Sequence, residues 1–345
     1  MKIAIGKHKK IALIFIALLY KTSKNTIERI ETMSMRTDLA LESANQISAT
    51  SPVEGVVKTT SYYKDNEICV TEIAVSSPEA GQKLGKPQGR YVTIENTKGS
   101  FSLYSHVFNE QVNIISDELK KLMGKIPEKI MFVGLGNSAI TPDSLGPSTA
   151  EKIFATRHIK RLAKDIDTSD MSDVSVVTTG VMAQTGVESS ETVRAIADFV
   201  KPDTVIIVDA LACSELEHLG TTIQLTDTGI SPGSGVENAR KELSYATLGV
   251  QCIAIGVPTV ADMSTVAEGI SDRPLPREFE GMIVTPKSID NLIMKTSGLI
   301  ATAINRTFHP NLTDEEIEIV SITELDRVAN SYDVETETGT FVFSG

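Results

Sequence analysis

The chain has 345 residues, 41% of them hydrophobic and 23% charged, enough for one large α/β domain or two modest ones. Thirty-three basic against 45 acidic residues leave a net charge of −12, which argues against a surface that neutralises DNA or RNA phosphates; any link to nucleic acid is indirect. Cys69, Cys213 and Cys252 stand far apart with no Cys-x-x-Cys pair, which argues against a disulfide framework or structural zinc and fits a reduced cytoplasm.

Lys7, Lys9 and Lys10 precede an apolar run, Ile11 to Tyr20, that has the look of a secretory signal but is too short to span a bilayer. No small-residue cleavage site follows, and Met33 and Met35 stand just before sequence of different character. Residues 1–32 therefore read as an over-long start or dispensable extension, with a true signal as the alternative.

From Glu67 to Thr97, the stretches EICVTEIAV and GRYVTIENT predict antiparallel strands joined by a long loop. Val112, Ile115, Leu119 and Leu122 then share one helical face, with Gly124 placed to end the helix. Beyond it come short apolar runs, Ile130–Val133, Val174–Val177, Thr204–Val208 and Cys252–Val257, separated by helical stretches. Runs without polar alternation are buried on both faces, so a doubly wound, mainly parallel sheet follows, with helices on both faces and the antiparallel segment added near the N-terminus. Val193, Ile196, Ala197 and Val200 predict a helix behind a Thr185-x-x-Glu188 start signal, and Ile289 to Ile304 predicts a late one. Asp314 to Gly345 reads as an acidic, loosely held tail.

In such a sheet the ligand site lies beyond the carboxyl ends of the strands. Two of those ends carry an aspartate: Asp143, after Gly134-Leu135-Gly136-Asn137 and Thr141-Pro142, just before a helical stretch near Gly146, and Asp209, where the third run stops. Two carboxylates a few ångströms apart cannot both ionise cheaply, so one keeps a proton while the other deprotonates a water, enough for amide hydrolysis without serine, cysteine or metal. The plainer reading makes Asp143 an N-cap and Asp209 a turn residue. Gly134-x-Gly136 lacks a third glycine for a dinucleotide fingerprint, since Ala139 stands there. The tract Thr226 to Gly235 could cradle an anion, cover a cleft or merely connect; Gly229, Gly233 and Gly235, with Asn137 and Thr141, are the candidates for substrate binding or a lid. Cys213, His158 and His218 read as packed or incidental.

Val133 to Asn137 with Thr141-Pro142-Asp143 and Leu145-Gly146-Pro147, Gly180 to Gly186, Val208 to Ala212, Asp227 to Gly235 with Arg240 to Leu243, Ile255 to Val260 and Val284 to Lys287 stand in an order that resembles the germination proteases of spore-forming bacteria. The resemblance covers roughly Arg36 to Pro310. It implies a cytoplasmic enzyme of the forespore that degrades small acid-soluble spore proteins at germination, a fold related to the hydrogenase maturation proteases, and a homotetramer. Its aspartates fall on Asp143 and Asp209. It implies synthesis as a zymogen, and Arg36-Thr37-Asp38-Leu39-Ala40 resembles the processing site, placing the cut between Asp38 and Leu39. The relatives that bind nickel use a histidine that Ile255 to Asp262 does not contain, so no metal is expected. The domain reading is residues 1–38 as extension and propeptide, 39–310 as one protease domain and 311–345 as tail. The alternatives are a metal-dependent maturation protease that clips a partner's tail and a non-enzymatic peptide-binding module.

Overall fold

A computed structural model describes residues 37–48, 53–162, 168, 171–231, 241–263, 266–267 and 282–317, all within the compact unit Arg36–Gly345. The prefix through residue 36, Gly233, Gly235 and the tail beyond Ile317 lie outside the described residues. No helix among the described residues is long and apolar enough to cross a membrane.

Among the described residues nine strands form one sheet: β1 (Val56–Tyr63), β2 (Ile68–Val75), β3 (Gly89–Asn96), β4 (Lys129–Gly134), β5 (Asp173–Thr178), β6 (Thr204–Cys213), β7 (Thr222–Thr226), β8 (Gln251–Asp262) and β9 (Ile283–Val284). Their order is β1-β2-β3-β7-β8-β6-β4-β5, with β9 also on β8. The four apolar runs expected to be parallel are β4, β5, β6 and β8, and they pair in parallel. β7, β3, β2 and β1 extend that half antiparallel.

Both faces of the parallel half are covered, which is why its strands show no polar alternation. On one face Ile206, Val208, Ile253 and Ile255 pack against helices α3 (Phe108–Met123), α4 (Leu145–Ala150) and α6 (Ile289–Phe308). On the other, Val205, Ile207, Met131 and Val133 meet Val193 and Ala197 of α5 (Ser189–Val200). α1 (Ala40–Ser48) lies against the antiparallel half, with Leu41 and Ala44 among Ile73, Val75 and Tyr91.

Four details differ from the sequence reading. β1 carries Lys58-Thr-Thr-Ser between its apolar ends; as an edge strand with most of its residues exposed it has no buried face to imprint an alternation. The loop between β2 and β3 contains helix α2 (Pro78–Leu84), whose Ser77 cap accepts a bond from Ala80 N at 3.2 Å and whose end is Gly85, at φ 71°. Thr185 does not cap α5: it ends a short helical turn and its hydroxyl bonds the carbonyls of Val181 and Val187. The tail begins more firmly than expected, since Arg306 grips Asp314 at 2.7 Å and Ile317 is buried.

Candidate active site

β6 does not stop at Asp209; it continues to Cys213, with a register shift against β8 between Leu211 and Ala212. Asp209 is thus a strand residue, 5% exposed, whose Oδ1 accepts its neighbour Ala210's N–H at 3.0 Å. Asp143 closes a single 3-10 turn, Thr141–Asp143, that leads into α4 and touches both β6 and β8.

Three glycines let that turn lie on the sheet. A Cβ at Gly134 would stand 2.4 Å from the carbonyl oxygen of Gly146, and one at Gly146 would stand 2.2 Å from that of Leu135 and 2.5 Å from that of Val208. Gly136, at φ 115°, has Asp143's own carbonyl oxygen where a side chain would begin. Leu135 N–H meanwhile donates to Val208 O at 2.9 Å, immediately before Asp209. The Gly-x-Gly motif is therefore consumed by close backbone packing, not left open as a phosphate cradle. The turn that carries Asp143 thus lies against β6, the strand that carries Asp209, and against β8.

Asn137 braces the turn instead of facing outward: its amide oxygen accepts Ala139 N–H at 2.9 Å and Gln184 Nε2 at 2.8 Å, and its own N–H donates to Asp143 O at 2.9 Å. Gln184 comes from the Gly180–Gly186 motif, which explains why that motif accompanies the Thr141-Pro142-Asp143 turn. Thr141 O accepts both the N–H and the hydroxyl of Ser144. Gly229, at φ 78°, is pinned beside Leu243, and Ile230 and Leu243 exchange two backbone bonds.

Beside Asp209 lies a cavity of about 190 Å³, lined among others by Asp38, Lys86, Leu211, Gln224, Gly229 and Gly256. Asp143 is not part of that lining. The segment around the expected cut, a strap that bends at Asp38 and enters α1 at Ala40, borders it through Asp38. Asp38 N–H donates to Ala212 O at 3.0 Å and Ala212 N–H donates to Asp38 Oδ2 at 2.8 Å. Gln224 Nε2 donates to Asp38 O at 3.1 Å while its Oε1 accepts Ala40 N–H at 2.7 Å, and Lys86 Nζ donates to Thr37 O at 2.9 Å. Leu39, fully buried, packs on Leu211, Cys213 and Ala261.

The strap is moored by Glu42, also fully buried. It accepts Ser214 N–H and Oγ–H at 2.7 and 2.6 Å, Glu215 N–H at 3.0 Å and His218 Nδ1–H at 2.6 Å. Burial alone would raise the Glu42 carboxyl, but bonds from His218 and Ser214 outweigh it and hold it below its ordinary value. Burial likewise disfavours the His218 cation, yet Glu42 and Glu95 prevail and raise its pKa to about 10. His218 is therefore half of a buried ion pair that sequence spacing could not reveal, its partner lying 176 positions away. Glu42, Glu215 and His218 are also the group among the described residues with ligand atoms within 4.8 Å of one another, but the Glu42 oxygens are already spent on hydrogen bonds. Burial pushes the Cys213 thiol up to about 12, which leaves it unreactive.

The family profile described as germination protease matches residues 30–276. The chain belongs to the germination protease family. A germination protease of Clostridium perfringens is 34% identical over 328 residues, covering 82% of this chain and 98% of that one. One from Caldanaerobacter subterraneus is 36% identical over 323 residues, with 83% and 97% covered, and one from Oceanobacillus iheyensis is 42% identical over 246, with 69% and 67% covered. A NiFe hydrogenase maturation protease from Thermococcus kodakarensis is 20% identical with a TM-score of 0.32, over 54% of this chain and 98% of that structure. As a member of the germination protease family the chain is a protease, and its substrate is protein.

Proposed function

We propose that Asp143 and Asp209 form the catalytic pair of a self-processing endopeptidase that degrades small acid-soluble spore proteins. The observation that carries this reading is the strap: Asp38, on the acidic side of the bond expected to be cut, lines the same cavity as Asp209, with its carbonyl and carboxylate both held. An uncut chain thus keeps a segment of its own main chain tied down at the wall of the cleft, which would hold a zymogen idle.

In the reaction, the ionised member of the pair takes a proton from water as the water oxygen adds to the peptide carbonyl. The protonated carboxyl then delivers a proton to the departing nitrogen. Ala212 N–H suits an acidic residue before the bond, and the Leu211–Cys213–Ala261 surface suits an aliphatic one after it. Two carboxylates without an imidazole in Ile255–Asp262 make a poor nickel set, so the mechanism runs on the aspartates alone. The forespore location and the homotetramer rest on the resemblance.

Asp143→Asn and Asp209→Asn should each lower self-cleavage and spore-protein degradation at least about 10³-fold with unchanged circular dichroism. Near-normal cleavage by either variant sinks the pair.

A further inference from the structure

Gln224 sits in β7 between Ile223 and Leu225, both fully buried, and is itself only 6% exposed. A carboxamide there must find polar partners within the protein. Both of its ends find them on the strap backbone, on either side of Leu39: the nitrogen on the carbonyl of Asp38, the oxygen on the N–H of Ala40. Neither contact depends on a strap side chain, so the pair of bonds holds main chain on both sides of Leu39 whatever its side chains.

The sheet register aligns this clamp with the proposed chemistry. Gly256 of β8 is the partner of Asp209 on one side and of Gln224 on the other. Residues directly paired across strands share a face, and two strand spacings put their Cα atoms about 10 Å apart, room for one peptide between them. Gly256 contributes no side chain to that row; a Cβ there would meet Leu211 Cγ at 2.4 Å, so Leu211 forms the floor on which Leu39 rests.

We infer that Gln224 is the residue that grips and polarises the bond broken in self-processing, placing the Asp38 carbonyl opposite Asp209 and donating to its oxygen as charge develops there. This rests on the reading of Asp38–Leu39 as the processed bond and of the aspartates as the proton carriers. As water adds to the Asp38 carbonyl carbon, its proton passes to the ionised carboxylate and the carbonyl electron pair moves onto the oxygen that faces Gln224 Nε2. On collapse the carbon–nitrogen bond breaks, its electrons go to the Leu39 nitrogen, and that nitrogen takes the proton back. One water is consumed; a carboxyl at Asp38 and an amine at Leu39 result, with no change of oxidation state. The donor already lies on the ground-state carbonyl, and it strengthens as the oxygen becomes anionic.

The sequence provides a single reporter. Asp38–Leu39 is the one Asp–Leu dipeptide in the chain, so labelling the aspartate carbonyl carbon and the leucine nitrogen with NMR-active isotopes leaves one carbonyl-selected amide signal, which disappears when the bond is cut. In the full-length chain, Gln224→Met, which keeps volume and removes both polar ends, should slow loss of that signal by roughly 10²-fold. In an Asp209→Asn background that freezes the bond, the same change should move the labelled carbonyl resonance upfield, because it loses a hydrogen bond. Gln224→Glu, which keeps the acceptor and removes the donor, should reproduce both effects and serves if the Met variant does not fold. Cleavage at the parental rate, or slower cleavage with an unmoved carbonyl resonance, overturns the assignment. Normal cleavage by Asp209→Asn instead overturns the aspartate reading and leaves the Gln224 result to stand by itself.

Discussion

Glu42 is a carboxylate with no exposure and four hydrogen bonds, one of them from a cationic histidine. Its neutral isostere offers an N–H where the protein already presents donors, so Glu42→Gln strands buried N–H groups and leaves His218 without its closest partner. The expected loss is about 3 kcal/mol of stability. The pH dependence follows from the two shifts. His218 is raised above its unfolded value, so its contribution is complete below about 6.5 and is lost as pH climbs through about 10. Glu42 is lowered, so its contribution is present above the ordinary carboxylate value and is lost on acidification. The gap in melting temperature between parent and Glu42→Gln should therefore be widest from about pH 5 to 6.5 and close toward pH 10; a gap that grows with alkali contradicts the ion pair. Glu95, Glu215 and Lys86 face the same pocket and will broaden the transitions. At this scale nothing in the sequence spacing linked Glu42 to His218.

Among the elements, the turn carrying Asp143 was legible as a motif before its geometry was known. What the residues could not announce is that Gly134, Gly136 and Gly146 serve one another: each leaves space for backbone from the facing segment. Gly146→Ala places a methyl against three backbone atoms, two of Leu135 and one of Val208, none of which can rotate away. It should cost about 3 kcal/mol or more and part the Asp143 turn from β6 at Val208. Calorimetry together with the self-cleavage rate checks this, and a variant with parental values for both would mean that the turn is not seated as described. β6 and β8 teach a complementary lesson. Their apolar runs were visible, but both strands continue through Ala-, Pro- and Asp-containing sequence because each supplies the other's ladder. Propensity could not foresee that partnership.

For the molecule as a whole, cutting one bond need not loosen the fold, because the groups on either side of it are held separately. Asp38 is bound through Ala212, whereas Leu39, Ala40, Leu41 and Ala44 are buried and Glu42 moors them. Intact-mass measurement of processed protein should find a folded chain beginning at Leu39, with α1 retained; trimming on to residue 49 would show that the mooring does not hold. The α/β class, the parallel strands and the late helix were readable because each is encoded locally, as an unbroken apolar run or a 3.6-residue stripe. β1, β7, α2, the Glu42–His218 pair and the Gln224 clamp were not. An exposed edge strand carries no periodic imprint, and a buried polar contact between residues more than 170 positions apart has no local signature. Chain order determined the local patterns, because each is written in neighbouring residues; only the sheet, by pairing Gly256 with both Asp209 and Gln224, decided that those two stand on either side of it.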